Sequence, residues 1–184
     1  MIITKNTLAQ LPNTSLWLTA QVPVNFSSKW QWHNDFTYKT IGIDIRAYQR
    51  FYRTGMRYMI SKDWNIAGGF GFSSINVSTD KHYDEFGKEF RLWQELNYQA
   101  GEKKKLAVQN RFRIEERFFK ATSIKPAFNI LNLTYRLSFT KYVSQKWDLL
   151  LGDEYFEQVF KKEFIFNQNR VITAGICRIN NTTQ

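Results

Sequence analysis

His33 and Asp35 are the residues of this sequence whose spacing best suits acid–base chemistry. They lie two positions apart, so on a β-strand their side chains face the same side. A hydrolase built on this pair would need a nucleophile, such as a serine, within hydrogen-bond reach of the histidine. Ser73 and Ser138 lie in stretches that predict strands, but no spacing places either beside His33. We therefore predict that His33 forms hydrogen bonds inside the protein and that the chain is not an enzyme, with a lipid hydrolase as an alternative.

The other features that resemble binding motifs predict no metal site and no cofactor. The segment HYDE at residues 82–85 offers only one strong type of transition-metal ligand, so we expect a polar loop tip there. Cys177 is the single cysteine, which excludes an internal disulfide and a site built from several thiolates. The glycine-rich GGFGF at residues 68–72 lacks the Lys-Ser/Thr ending of a phosphate loop. We expect its glycines to bend a strand or to leave room for a large cross-strand aromatic ring.

Arginine and glutamate alternate with apolar residues along LAVQNRFRIEERFF, residues 106–119, and weaker versions of this pattern recur along the chain. Strand geometry would place these charges on one face, which we predict to line the interior of a barrel. The predicted interior set has fourteen members, and Lys39 and Glu89 are two of them. The others are Asp35, Arg53, Arg57, Arg91, Glu95, Arg111, Arg113, Glu115, Arg117, Arg136, Glu154 and Arg170.

Charges inside a narrow barrel need partners, because an unpaired desolvated charge is costly. We expect Glu95 to pair with Arg111 or Arg113, and Glu115 to pair with Arg136. Two functions remain open for such an interior. It is either a salt-bridged filling that holds the barrel shut, or a cationic lumen that binds or passes a small anion, since arginines outnumber carboxylates in the set.

A period of two in hydrophobicity predicts strands along most of the chain. We expect strands near residues 15–26, 29–39, 48–60, 64–74, 89–99, 106–119, 130–140, 147–158 and 168–178. Pro23 predicts an edge or a bulge in the first strand. Short connections at 27–29, 61–63, 100–105 and 143–146 alternate with longer ones at 40–47, 75–88, 120–128 and 159–167. This alternation is typical of outer-membrane barrels.

The period of two in hydrophobicity does not by itself distinguish a soluble barrel from a membrane barrel. Both have it, but the apolar face is inside a soluble barrel and outside a membrane barrel. Large aromatic apolar faces and clustered arginine and glutamate favour the membrane arrangement. Aromatic residues next to the short connections predict a girdle at the membrane interface. Its members are Trp30, Tyr58, Trp64, Tyr142 and Trp147. A soluble lipocalin-like barrel that binds an apolar ligand is the alternative, and it would shield Leu131, Tyr135 and Phe139 from solvent.

Composition narrows the class of protein further. The 184 residues predict a single domain over 1–184, with an N-terminal extension at 1–14 and a tail at 179–184. No apolar run reaches the roughly 18 residues of a membrane helix. The net charge of +10 raises the possibility of nucleic acid. We predict no nucleic-acid binding, because the aromatic residues and the arginines fall on opposite strand faces, whereas a single-strand binder needs both on one face.

A family resemblance is carried by segments spread over residues 16–176. In chain order they read WLTAQVPVNFSSKWQWHNDFTYK, RTGMRYMISKDWNIAGGFGF, EFRLWQELNYQ, NRFRIEERF, YRLSF, DEYFEQ and NRVITAGI. This ordered set resembles a family of uncharacterised outer-membrane β-barrels of Gram-negative bacteria, domain of unknown function twenty-four ninety. The resemblance implies an outer-membrane barrel without an established activity. By analogy it also implies outer-membrane lipid and the barrel-assembly machinery as partners.

Two departures from that family lead us to expect a truncated member. The start, MIITKNTLAQ, has no apolar core of a signal peptide, and family members continue past the NRVITAGI strand. The prediction is thus an all-β, antiparallel, up-and-down meander of about nine or ten strands. It forms an incompletely closed barrel of outer-membrane type, and an unclosed barrel exposes two strand edges.

Overall fold

The structure is a computed structural model, and strands joined by turns and loops make up the part of the chain that it describes. It describes residues 16–41, 46–77, 84–101, 105–123, 125–160 and 163–177. The predicted extension at 1–14, the tail at 179–184, His82, Lys103 and Lys104 lie outside these residues. None of the described segments is a helix that is long and apolar enough to span a membrane.

Ten strands form one antiparallel sheet in which each strand from β3 onward pairs with the next. Their bounds are β1 (Trp17–Gln21), β2 (Val24–Asn25), β3 (Trp30–Thr40), β4 (Ala47–Met59), β5 (Trp64–Asn76), β6 (Phe86–Gly101), β7 (Leu106–Phe119), β8 (Phe128–Tyr142), β9 (Trp147–Phe160) and β10 (Glu163–Cys177). The predicted meander is therefore confirmed.

The first predicted strand is split around Pro23. Both β1 and β2 pair with β3, and the break between them includes Pro23, as expected of a residue without an N–H group to donate. β1 and β10 stand at the two ends of the strand order. The sheet nevertheless curls, since the Arg170 guanidinium of β10 lies 4.8 Å from the centre of the Trp17 ring on β1. The result is an open, curled half-barrel, which confirms incomplete closure.

The connections lie on two rims. The short-turn rim consists of residues 26–29, 60–63, 105 and 143–146, and the long-loop rim consists of residues 41, 46, 77, 84–85, 120–123 and 125–127. The predicted long loop at 159–167 is wrong, because β9 reaches Phe160 and β10 begins at Glu163. Phe164 and Phe166 extend the ladder, and the register shifts between Phe166 and Gln168. This bulge lets both aromatic rings stay on the same face as Tyr155, whose ring lies 5.6 Å from Phe166.

The curled sheet is polar inside and apolar outside. Among the described residues, three apolar residues are buried, against sixteen polar or charged ones. Large apolar side chains instead face outward, and their exposure reaches 50% at Phe36, 53% at Phe72 and 54% at Leu151. We call the two sides the inner face and the outer face. A soluble barrel has the opposite arrangement, because burial of apolar area drives its folding.

Trp93 is the one large apolar side chain among the buried residues, and glycines make space for it on the inner face. Trp93 is 2% exposed, and its ring contacts the position where Gly55 lacks a side chain. Gly55 pairs with Gly69 across β4 and β5. A Cβ on Gly71 would likewise lie 2.8 Å from the Phe51 ring. The expectation that glycines in GGFGF leave room for a cross-strand aromatic is confirmed at Gly71.

The substitution Gly55→Ala is expected to destabilise the fold by about 1–3 kcal/mol, the usual cost of overpacking. The added Cβ would lie 2.5 Å from Trp93 Cζ2 and closer still to the Gly68 carbonyl oxygen. The free energy of unfolding in urea measures the loss. Gly175→Ala is the control, since its nearest neighbour would be Trp147 at 3.7 Å. Equal stability of the two variants would contradict this packing.

Candidate binding lumen and its rims

All fourteen charged residues predicted for the interior lie on the inner face, where each is buried or half-buried. They are Asp35, Lys39, Arg53, Arg57, Glu89, Arg91, Glu95, Arg111, Arg113, Glu115, Arg117, Arg136, Glu154 and Arg170. The side chain of Glu89 is fully shielded from solvent. Strand alternation alone places these residues on one face, and the curl of the sheet then brings them together around a shared lumen.

His33 and Asp35 form a small buried cluster with Arg53. His33 Nε2 lies 3.0 Å from Asp35 Oδ1, and Arg53 Nε donates to Asp35 Oδ2 at 2.9 Å. The Arg53 guanidinium also covers the ring of Trp93, which meets His33 edge-on. In the described part of the chain no serine bonds to His33, and Ser73 accepts a hydrogen bond from another inner-face residue, Gln49. This geometry gives His33 a structural partner and no nucleophile.

Glu95 is the carboxylate with the most partners. It accepts from Arg113 Nε at 2.9 Å and from Asn97 Nδ2 at 2.7 Å, and Arg57 Nη2 lies 3.5 Å away. The predicted pairing of Glu95 with Arg113 is confirmed. Three strands therefore meet at one carboxylate, because Arg57 is on β4, Glu95 on β6 and Arg113 on β7.

Glu115 does not pair with Arg136, so that prediction is wrong. Its carboxylate lies 3.7 Å from Arg91 and 4.0 Å from Arg113. The register explains the difference, since Glu115 stands opposite Asn132, four residues from Arg136. That offset corresponds to about 13 Å along a strand, which is too far for an ion pair.

Arg111, Arg136, Glu154 and Arg170 stand opposite one another on the four consecutive strands β7 to β10. We call this set the arginine row. Arg111 bonds to Glu154, and Arg170 Nη1 lies 3.4 Å from the other carboxylate oxygen. Arg136 forms no ion pair with the described carboxylates, and its Nε is buried without a hydrogen-bond partner. The row thus holds three cations against one carboxylate, an excess that a bound anion would neutralise.

The five residues of the predicted aromatic girdle all lie at the short-turn rim: Trp30, Tyr58, Trp64, Tyr142 and Trp147. The rings of Trp30 and Tyr58 are 4.8 Å apart. Trp64 pairs in the same way with Tyr98 at 4.7 Å, a residue that sequence reasoning did not assign to the girdle. The three tryptophans remain between 42% and 50% exposed.

A repeated turn positions these tryptophans, and sequence reasoning missed it. Ser27, Ser61 and Ser144 each stand three residues before a girdle tryptophan. In each turn the serine hydroxyl accepts a hydrogen bond from the tryptophan backbone N–H at 3.1 or 3.2 Å. Serine favours such turns because its hydroxyl bonds to nearby backbone groups. The spacing Ser-x-x-Trp, found three times, was the signal available in the sequence.

Side-chain hydrogen bonds link the connections at the long-loop rim. Arg46 Nε donates to Asp84 Oδ1 at 2.8 Å, and Asn76 also donates to that oxygen. The bond from Arg46 holds the pKa of Asp84 below its usual range. Glu85 accepts from the hydroxyl and the backbone N–H of Ser123, and these bonds lower the pKa of Glu85 as well.

The contact between Glu85 and Ser123 is expected to depend on pH. Because the pKa of Glu85 is lowered from 4.5, the contact is fully present above that value and is lost as pH falls through the lowered value. The amide proton shift of Ser123, followed by NMR from pH 6 downward, should titrate with a pKa below 4.5. The Trp147 amide, held by a serine hydroxyl, is the control and should not follow this titration. An amide proton shift of Ser123 that does not change with pH would contradict the contact.

The described residues contain no group of three or more histidine, cysteine, aspartate or glutamate side chains that could hold a metal ion. Glu85 is the one described residue of the HYDE segment besides Asp84, and both are engaged with neighbouring loops.

Comparison with known proteins places the chain in a family without assigning it an activity. No curated protein and no solved structure matches it. The profile of the family described as "Protein of unknown function (DUF2490)" matches residues 14–184. That match covers all ten strands, both rims and every residue of the inner-face charge set. The chain is therefore a member of the DUF2490 family of proteins of unknown function.

Proposed function

We propose that this protein is an integral β-barrel of the bacterial outer membrane and is not an enzyme. The observation that carries the proposal is the inverted polarity of the curled sheet. An ionic interior and an apolar exterior are the arrangement that a bilayer stabilises, because lipid replaces water around the outside. In water the same outer face would expose a continuous apolar surface, which soluble monomers rarely tolerate.

Strand length and rim structure support the same placement. β3 to β10 contain 11 to 16 residues each, and about 9–11 residues are enough for a tilted transmembrane strand. The tryptophans at the short-turn rim suit the headgroup region, where aromatic residues collect. Outer-membrane lipid is then the main partner, and insertion would use the barrel-assembly machinery as in other such barrels.

The soluble alternatives fit the faces less well. A lipocalin-like barrel would shield Tyr135 and Phe139, yet these side chains are 45% and 39% exposed on the outer face. A single-stranded nucleic acid would need aromatic rings and arginines on one surface. Most of the arginines line the inner face, while the large exposed rings lie outside.

The lumen has two candidate roles within such a barrel. Its ion pairs can simply fill and stiffen the interior. The arginine row favours a second role, the binding or passage of a small anion. Arg136 supports it most directly, since this half-buried side chain forms no ion pair with a described carboxylate and its Nε is buried without a hydrogen-bond partner.

Refolding tests the membrane placement. The chain is diluted from urea into buffer with or without detergent micelles, and then followed by far-UV circular dichroism and by gel mobility before and after boiling. We expect a β spectrum and a heat-dependent mobility shift only in micelles. A monodisperse β protein in plain buffer would overturn the proposal.

A separate measurement tests the anion role. Adding sulfate to the micelle-inserted chain at constant ionic strength should raise its melting temperature, because a ligand of the folded state stabilises it. Arg136→Gln should abolish that increase. Lys141→Gln, on the outer face of the same strand, should keep it. An increase that is equal in all three proteins, or absent from the wild type, would leave the lumen with a structural role only.

A further inference from the structure

Five aromatic residues form a continuous row on the outer face. Phe36, Tyr52, Phe72, Phe90 and Phe118 stand opposite one another on the consecutive strands β3 to β7. Three of the rings are in contact, with 5.4 Å between the centres of Phe72 and Phe90 and 6.1 Å between Phe90 and Phe118. We call this row the aromatic tier.

A row of cations lies directly beside the aromatic tier, two residues closer to the long-loop rim. Arg50 stands opposite Ser74, and Ser74 stands opposite Lys88. Lys120 continues the row, because its backbone N–H donates to the Lys88 carbonyl at 2.9 Å. The two rows are about 7 Å apart, the rise of two strand residues. Arg50, Lys88, Lys120 and the hydroxyl of Ser74 form what we call the basic tier.

The basic tier is available for an external ligand. Arg50, Lys88 and Lys120 are all exposed, and none of them forms an ion pair with a carboxylate among the described residues. The nearest charged rim pair is already satisfied, since Asp84 bonds to Arg46. Glu89, next to Lys88 in sequence, points to the inner face, where Arg91 and Arg117 bond to it.

The two tiers share one groove of about 470 Å³. Phe36, Tyr52, Phe72 and Phe90 line its apolar part, and the three cations line the end nearest the long-loop rim. The groove is therefore amphipathic along the strand direction, which is the direction in which a bilayer changes from hydrocarbon to headgroups.

We propose that this groove binds a phosphorylated lipid of the surrounding leaflet, an inference that rests on the membrane placement proposed above. The lipid phosphate lies against Arg50, Lys88 and Lys120, and an acyl chain lies along the aromatic tier. Arginine and lysine supply charged donors to phosphate oxygens, and Ser74 adds a hydroxyl donor. The long stems of both residue types cover apolar surface while their charged ends reach the headgroup region.

Charge complementarity selects this occupant. A second copy of the chain would present the same cations to one another, which would repel. A zwitterionic lipid also carries a phosphate, but its choline group would meet the same three cations, so the groove discriminates by net headgroup charge. Each cation near an anionic headgroup contributes a several-fold preference.

Native mass spectrometry of the micelle-inserted chain tests the proposal. Equimolar phosphatidylglycerol and phosphatidylcholine are added, and the retained lipid is counted. We expect the wild type to retain phosphatidylglycerol more strongly by a factor of more than about ten. The triple variant R50Q/K88Q/K120Q should lose most of that preference. The control K29Q/K62Q/K146Q removes the same charge from the short-turn rim and should keep it.

The outcomes separate this inference from the membrane placement. Heat-dependent gel mobility is recorded first for all three proteins. A wild type that fails to enter micelles overturns the membrane placement and the lipid groove with it. An inserted wild type without headgroup preference overturns the groove alone. Equal loss in both triple variants would also overturn it, because the preference would then follow total charge rather than this site.

Discussion

Replacing Glu95 by glutamine is expected to destabilise the micelle-inserted protein by about 3–5 kcal/mol, the typical cost of removing one partner of a buried ion pair. The variant keeps the shape of the side chain but leaves Arg57 and Arg113 without this carboxylate. Arg113 retains only Glu115, at 4.0 Å. The free energy of unfolding in urea, measured in micelles, gives the loss.

Glu116→Gln is the matched control for this prediction. Glu116 is exposed on the outer face of β7 and forms no ion pair among the described residues, so its replacement should lower stability by no more than about 0.5 kcal/mol. The two glutamates are on adjacent strands and differ mainly in the face they occupy. A loss at Glu116 as large as at Glu95 would mean that the faces are assigned wrongly.

Phe112→Arg is expected to cost about 2–4 kcal/mol in a lipid bilayer, because it places a charge at the depth of the hydrocarbon centre. Phe112 lies midway along β7, is 42% exposed on the outer face, and stands opposite Leu96 and Tyr135. The urea concentration that extracts and unfolds the chain from vesicles measures this cost.

Leu106→Arg provides the depth control on the same strand and the same face. Leu106 is 46% exposed but begins β7 at the short-turn rim, where an arginine should cost no more than about 1 kcal/mol. In water, two equally exposed positions would tolerate arginine equally well. Similar small losses at both positions would therefore argue against a bilayer around the outer face.

The amino-acid sequence by itself determined the strands and their two faces. The alternation along residues 106–119 predicted β7 with the bounds that the structure has. Pro23 predicted an edge or a bulge in the first strand, which the structure splits at Pro23 into β1 and β2. All fourteen predicted interior charges lie on the inner face. These features are local, because a strand turns every second side chain to the same side whatever its neighbours are.

The tertiary structure decided which residues meet. Glu115 pairs with Arg91 and Arg113 rather than Arg136, and Arg111 and Arg170 share Glu154, because of how β6 to β10 align. The same alignment assembles the aromatic and basic tiers from residues far apart in sequence. Register depends on how whole strands that are distant in sequence pair with one another. An alternation with a period of two fixes the face of each side chain, but it is compatible with many registers that keep the same residues on that face. For this reason the charged interior was predictable from the sequence as a set, whereas its pairs and the amphipathic groove required the folded sheet.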